Sequence, residues 1–427
     1  MKNLDEYNHP FGGLFSASFE LPNNLGEPYY PIYTTSLGDI NNINLLNGRN
    51  YNMSMKIDGS GGDIYKDAAK FKSQAEALER YSSCVYSDNQ FILSSYNDLD
   101  DYALDLNRIP KVSFNEEKNG WIKRPSNDDK IRWVRGFSVT NNKTIWVPAI
   151  MTYLYIPPLE TERFWLPIST GCAIHEDYDK AIISGINEVI ERDAISLTWL
   201  LERSLPKLSY CNPDEISREY IDMTFSNQFI NTKFYNATTD LGIPTLYCYQ
   251  RAYHNNKVHN MVVCSTELDP VIAYRKILRE AASLRIGLQN SSVKRENPSD
   301  FIDVMDGALY MAKANEQSHF NFLESNQTID ISNIKKLSTG NSKSDLNLLI
   351  ETLKNKGHEV IVIDLTCDEV MRSKLKSVRV IIPSLMPLSF SYKSRFLGTQ
   401  RIKEYYENVT GSSFSENIIN KNPQPFA

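Results

Sequence analysis

The chain has 427 residues, with 46 Lys and Arg against 52 Asp and Glu for a net charge of −6, so no general attraction to nucleic acid or an anionic membrane is expected. Hydrophobic residues make up 41 %, with 24 Tyr, 18 Phe and 5 Trp, which supplies a packed core and excludes a disordered chain. Length alone would allow two or three domains of about 150 residues each. The opening MKNLDEYNHP is acidic where a signal peptide is basic then apolar, and no long uncharged apolar run follows, so a cytoplasmic protein is expected. The six cysteines form no C-x-x-C pair and the six histidines are scattered, so neither a zinc site nor a redox dithiol is signalled.

In chain order, residues 1–57 are rich in Asn, Gly, Pro and Tyr and predict strands and loops, with NNINLLNGRN as a turn-rich joint. DGSGGD at 58–63 reads as a glycine loop that enters a helix over about 67–86. Between 98 and 170 the segments RWVRGFSV, TIWVPAIMTYLYI and FWLPIS predict strands. A second helix is predicted over about 178–202 with Asp177 as its N-cap. The strands PTLYCYQRA and HNMVVCST come next, then a third helix announced by Asp269 and Pro270 and ending near Gly287. The polar stretch 290–345, with one apolar piece ALYMAKA, reads as a surface insertion. LNLLIETLKNKG, HEVIVIDLT and VRVIIPSL read helix, strand, strand, and a proline-punctuated tail, NKNPQPFA, closes the sequence. No composition break marks a linker, so the expectation is an α+β protein: an N-terminal extension over 1–57 and one catalytic domain over 58–427, with mixed sheets and packed helices.

Two helices carry the same pattern, Lys72-x-x-x-Glu76-x-x-Glu79-Arg80 and Ser184-x-x-x-Glu188-x-x-Glu191-Arg192. Spacings of three and four place each Glu-Glu-Arg set on one helical face. A single copy is ordinarily a solvated face laced by its own ion pairs. Here the second helix is strongly apolar on its other side, through Ile182, Ile183, Ile186, Val189 and Ile190, and it contains Gly185. A mid-helix glycine costs ~1 kcal/mol against alanine, so close approach of a neighbour is implied. Four carboxylates brought together repel unless a cation neutralises them, and magnesium commonly bridges carboxylates to nucleotide phosphates. In the third helix Arg275, Arg279, Glu280 and Arg285 offer forks suited to phosphate oxygens or an ordinary basic face. Neither a P-loop, a dinucleotide fingerprint nor a serine-hydrolase motif occurs.

The segments SGGDIYKDAAKFKSQAEALERYSS, STGCAIHEDYDKAIISGINEVIERDAISLTWL and DPVIAYRKILREAASLR resemble, in that order, the three nucleotide-binding segments of the YcaO family. ERDA followed by LTWL, together with VRVIIPSLMPLSF, LGTQRI and the Pro-x-Pro-Phe ending, resembles the branch that forms azoline rings in ribosomally made peptides. The resemblance implies a YcaO-type ATP-binding fold and an ATP- and Mg2+-dependent cyclodehydratase that converts Cys, Ser or Thr of a precursor peptide to thiazolines or oxazolines by phosphorylating a backbone amide oxygen. It assigns Glu76, Glu79, Glu188 and Glu191 to magnesium and ATP, and Arg80, Ser184, Arg192, Glu280 and Arg285 to accompanying ATP-binding positions. Lys72 stands where the first motif usually has Ser, and Gly62 where some members have a loop Lys. The tail, with Pro423, Pro425 and Ala427, is implied to reach the active site and to assist proton removal, although the family usually ends in Pro; by composition alone it would be disordered. The implied partners are the precursor peptide, a leader-binding protein related to ubiquitin-activating (E1-like, ThiF-like) proteins, and an FMN-dependent dehydrogenase that oxidises azolines. The rival readings are thioamide or macroamidine formation at the same ATP site, and a non-catalytic scaffold, against which retention of both E-x-x-E-R sets argues.

Overall fold

Alternating and continuous apolar runs set the strands, and three sheets result. The computed structural model describes residues 4–9, 13–39, 56–225 and 229–427; the predicted joint at 41–50 lies outside them. β1 (Ala17–Glu20), β2 (Ile32–Asp39) and β3 (Lys56–Gly62) pair antiparallel in that order. β4 (Ile92–Ser94), β5 (Ile131–Ser138), β6 (Lys143–Pro148) and β7 (Cys172–His175) join a six-stranded sheet completed by β13 (Ile361–Asp364) and β14 (Lys376–Ile381), in the order β4-β5-β13-β14-β7 with β6 on β5. β8 (Lys207–Ser209), β9 (Ile230–Asn236), β10 (Thr245–Ala252), β11 (Asn260–Thr266) and β12 (Thr328–Asp330) form the five-stranded sheet β11-β10-β9-β8-β12, in which β12 and β8 are parallel. Helices pack on these sheets, which is the α+β class with mixed pairing that the pattern predicts.

Three helices tie the sheets together. α1 (Lys66–Ser82) lies on β3 and β2 and reaches β7. α2 (Tyr178–Leu200) packs on β14 and β7 by one side and on β11 by another, and therefore bridges the two large sheets. α3 (Glu215–Phe225) covers α4 (Pro270–Asn290), which spans β10, β11 and β3. The caps form as expected: Asp177 accepts from the N–H groups of Asp179 and Lys180, and Asp269 from that of Val271. α2 buries Ile182, Ile186, Val189 and Ile190 against Val378 and Val380, each such side chain contributing roughly 1.5–3 kcal/mol. Gly185 serves the close approach its position implied, because a Cβ there would meet Val380 Cγ2 at 2.5 Å and the Gly171 carbonyl oxygen at 2.9 Å.

Several expectations need correction. DGSGGD does not form a loop: residues 56–62 are β3, an edge strand that α1 lies across. Its glycines are there for contact, since a Cβ on Gly59 or Gly61 would overlap the backbone of α1 at Ser73 and Ala77 or at Ala69 and Ser73. The expected boundary at 57/58 thus falls inside a strand paired to β2. After β6, residues 149–152 turn helical and 153–170 carry no strand, as Pro157, Pro158 and Pro167 remove the donors a ladder needs. Phe164, Trp165 and Leu166 are nevertheless core residues.

The 290–345 stretch is no surface insertion either. It contributes α5 (Val304–Met311) and β12, and its Met311, Phe320 and Leu323 share a core cluster with Trp199 and Phe426. α6 (Ser342–Asn355) packs on α2, and α7 (Gln400–Thr410) presents Arg401, buried, to Asp193 of α2 and to Asp240. Among the described residues no helix is long and apolar enough to cross a membrane.

The seam between β3 and α1 is open to test. Gly61→Ala is expected to lose about 1–3 kcal/mol by overpacking against helix backbone, which has no side chain to move aside. Denaturation of the two proteins side by side measures it, and a change within about 0.5 kcal/mol would contradict the contact.

Candidate active site

Where α1, α2 and α4 converge, their charged faces turn towards one another. On α1, Glu76 accepts from Arg80 Nη2 at 2.8 Å and from the backbone N–H of Ser60 on β3, also at 2.8 Å. On α2, Glu188 accepts from Arg192 Nη2 at 3.2 Å and from the Gly171 N–H at 3.0 Å. Glu191 is buried, accepts from the Thr266 N–H of β11 at 3.2 Å, and lies 3.3 Å from Arg192 Nη1 and 4.0 Å from Lys276 Nζ. Lys276, on α4, also reaches Glu267 at 3.4 Å, and Glu280 follows one turn later, 3.8 Å from Arg279.

The charges feel one another. Glu79 is half-buried by area but densely surrounded by protein, and its carboxyl is pushed well above the usual range, first by desolvation and then by Glu188 and Glu76. Desolvation lifts Glu191 to about 7, against the pull of Lys276 and Arg192. Burial alone would lower Arg80, Arg192 and Lys276, yet the acids around them hold all three higher than normal: Glu76 for Arg80, Glu191 for Arg192 and Glu280 for Lys276. Lys72, joined to Asp63, is lowered by burial and by neighbouring Arg279.

A cavity of about 360 Å³ opens beside this cluster, and its lining includes Arg80, Glu188, Arg192 and Thr170 together with Tyr155, Asp303, Phe390 and Ala427. The last residues do not dangle: Pro423, Gln424, Pro425 and Phe426 are buried. Phe426 sets its ring edge-on to Tyr247 at 5.3 Å, and Trp199 Nε1 donates to the Asn422 carbonyl at 3.3 Å.

Glu76, Glu79, Arg80, Glu188, Glu191, Arg192 and Glu280 are thus brought together, and Ser184 lies exposed one turn before Glu188. Arg285 is not brought there. It is fully buried in an ion pair with Glu27 and donates to the Val258 carbonyl at 3.1 Å, so its charge is spent on holding the N-terminal segment to α4. Arg275 pairs instead with Asp214 and Ser217 around α3. Residue-level reading missed Lys276, Glu267 and Arg379. The i,i+4 spacing of Lys276 and Glu280 was a usable signal; Glu267 and Arg379 had none.

No group of three or more Asp, Glu, His or Cys among the described residues is disposed to hold a metal ion by itself. The donor set nonetheless fits a magnesium shared with phosphate oxygens, since Mg2+ takes only one or two carboxylates in such sites and the raised Glu79 marks negative charge that a cation would relieve.

A family model described as YcaO cyclodehydratase, ATP- and Mg2+-binding, matches residues 60–386. The chain belongs to the YcaO family of ATP-dependent cyclodehydratases, which use ATP and Mg2+. An uncharacterised protein from Methanothermobacter thermautotrophicus is 25 % identical over 334 residues, covering 76 % of this chain and 81 % of its own. Among solved structures, a heterocyclase in complex with substrate and cofactor superposes with a TM-score of 0.79 at 19 % identity over 99 % of this chain and 56 % of that one. YcaO from Methanopyrus kandleri bound with AMPPCP and Mg2+ gives 0.61 at 15 % over 87 % and 86 %. The E. coli microcin synthetase McbBCD complex with pro-MccB17 bound gives 0.62 at 14 % over 99 % of both chains. At these identities the likeness is one of fold, and this chain spans little more than half the length of that heterocyclase.

The Glu191 carboxyl predicts a pH effect. Its folded value near 7 exceeds the ordinary 4.5, so the folded state holds the extra proton between those limits; the stability it contributes is complete below about 4.5 and is lost as pH rises through 7. Glu191→Gln should therefore gain stability relative to wild type between pH 5 and 8, by roughly 2–4 kcal/mol. Thermal unfolding of both proteins across that range, without nucleotide, is the measurement, and a relative gain towards acid pH would refute the assignment.

Proposed function

We propose that the chain is the cyclodehydratase component of a peptide-modifying synthetase, forming thiazolines or oxazolines in a ribosomally made precursor peptide. The observation that carries this reading is the meeting of two Glu-x-x-Glu-Arg faces and Glu280 beside a cavity of about 360 Å³, large enough for a peptide segment. In the proposed reaction a Cys thiol or a Ser or Thr hydroxyl adds to the preceding carbonyl carbon and gives up its proton. The oxyanion so formed takes the terminal phosphoryl group of ATP and ADP departs; the C–O bond to phosphate then breaks as the nitrogen loses its proton and the C=N bond forms. Each ring costs the peptide the mass of one water.

Amide oxygen is a poor leaving group, so the protein's task is to hold the phosphoryl donor and offset its charge. Glu76, Glu79, Glu188 and Glu191 are proposed to hold magnesium, one or two carboxylates to each ion, which would neutralise phosphate charge, while Arg80 and Arg192 exchange their carboxylate partners for phosphate oxygens. Glu280 and Lys276 would set the charge at the α4 side. Ser184 is proposed to contact the nucleotide from the cleft mouth; Arg285, fixed to Glu27, would act only by positioning α4. The tail residues Pro423, Pro425 and Ala427 are proposed to bound the peptide side of the cavity and to assist proton removal from the ring nitrogen. A leader-binding partner of the E1-like kind and an FMN-dependent azoline dehydrogenase complete the proposed assembly.

Glu76→Gln and Glu188→Gln should each abolish ATP turnover with an unchanged circular-dichroism spectrum; near wild-type turnover in both would sink the assignment. Mass spectrometry of the peptide decides the reaction type, because loss of one water per ring marks azolines and exchange of oxygen for sulfur marks a thioamide. Deleting residues 423–427 should cut ring formation far more than nucleotide binding, measured by mass loss and by calorimetry; equal losses in both would make the tail a packing element only.

A further inference from the structure

Beside the larger cavity lies a second of about 40 Å³, and Ile168 and Thr170 line both. Its walls are chiefly apolar, from Val189, Ile381 and Met386, and it is the polar groups on them that call for an explanation. Trp165 Nε1, Thr170 Oγ1 and Arg379 Nε are all buried atoms with no hydrogen-bond partner, and all three residues line this one cavity. Trp165 is 9 % exposed and Arg379 3 %.

Arg379 deserves particular weight because a buried guanidinium without a counter-ion is costly. Its Nη1 donates to the Ile168 carbonyl at 2.7 Å and to Cys172 Sγ at 3.1 Å, neither of which carries a carboxylate charge, and among the described residues it makes no ion pair. Glu79 senses its field, but no hydrogen bond or ion pair joins the two. The unused groups are two N–H donors and a hydroxyl, with a net positive charge and no carboxylate among the lining. Such a set suits an oxygen anion. The volume exceeds the roughly 10–15 Å³ that one water needs, and apolar walls strengthen the attraction.

We propose that this chamber is a phosphate subsite in which Arg379, Trp165 and Thr170 bind the oxygens of a phosphate group, either the terminal phosphoryl of the nucleotide or the phosphate released when the ring closes. The inference rests on the phosphoryl-transfer reading above, and it gives Arg379 a role on β14 that is separate from the carboxylate faces of α1 and α2. In this arrangement Arg80 and Arg192 serve the nucleotide, while Arg379 draws the leaving phosphate towards Thr170 and away from the new C=N bond.

The test uses the full chain and inorganic phosphate alone, with neither ATP nor peptide, followed by phosphorus NMR and calorimetry; it therefore stands or falls separately from ring formation. Trp165→Phe keeps the ring packing on Phe396, at 5.5 Å, and removes only the donor. It is expected to weaken phosphate binding several-fold, and Arg379→Gln roughly tenfold or more. Adding a non-hydrolysable ATP analogue separates the sources: exclusion of phosphate identifies the nucleotide's terminal group, and simultaneous binding identifies released phosphate. Wild-type phosphate affinity in both variants would place any bound phosphate on Arg80 and Arg192 and overturn the proposal. So would a chain that binds no phosphate, whose chamber then holds water.

Discussion

Everything at the centre of this molecule depends on holding like charges together. Glu76 and Glu79 come from α1, Glu188 and Glu191 from α2, and Glu280 from α4, so each acid adds repulsion that separation of the helices would relieve. Apolar seams on the far sides of the helices oppose that separation. Glycine at 59 and 61 lets α1 settle onto β3, and glycine at 185 lets α2 settle onto Val380 and Gly171. Several buried side chains at roughly 1.5–3 kcal/mol each outweigh a few repulsive contacts partly screened by arginine. The charge cluster is thus stable because its supports are not charged.

Within the cluster the balance is set locally. Arg80 lies four residues after Glu76, and Arg192 four after Glu188, so each helix brings a neutralising cation on the same face as its acids. The Gly171 N–H supports Glu188 and the Thr266 N–H supports Glu191, which ties the carboxylates to β7's leading turn and to β11. Movement of either sheet would therefore be felt at a carboxylate oxygen. That coupling explains why α2, as the bridge between the two large sheets, is buried over most of its length while still presenting an acidic edge.

What was legible in the sequence is what depends on local spacing. Helical period, the caps at Asp177 and Asp269 with Pro270, and the repeated Glu-x-x-Glu-Arg faces all follow from residues within a turn or two of each other. Arg285 was misplaced because its partner, Glu27, lies 258 positions away, and nothing near either residue signals the pair. DGSGGD read as a loop because glycine is ordinarily a turn former; only the backbone of α1 lying across β3 makes small residues a requirement of that strand. The segments 290–345 and 420–427 looked solvated for a related reason. Each is polar by composition, but they bury each other, with the Gln424 backbone pressed against Gly307 and Asn422 meeting His319 at 3.0 Å. Polar residues go inside when their hydrogen bonds go with them.

The arginines of the site divide into two kinds, and the division bears on how charge can move through it. Arg80 and Arg192 rest against carboxylates, so any phosphate they take must be exchanged for a partner already present, which makes their contacts reversible at modest net cost. Among the described residues Arg379 makes no ion pair, and it lines a chamber whose walls are chiefly apolar. An anion passing from the first pair to the second would move from a shared environment to an unshared one, and from a wide cavity to a narrow one. Glu188 lines only the wider cavity and would repel such an anion there, while Arg379 lines the narrower one and would attract it. The gradient is built from fixed groups on α2 and β14, so it needs no rearrangement of the protein to operate.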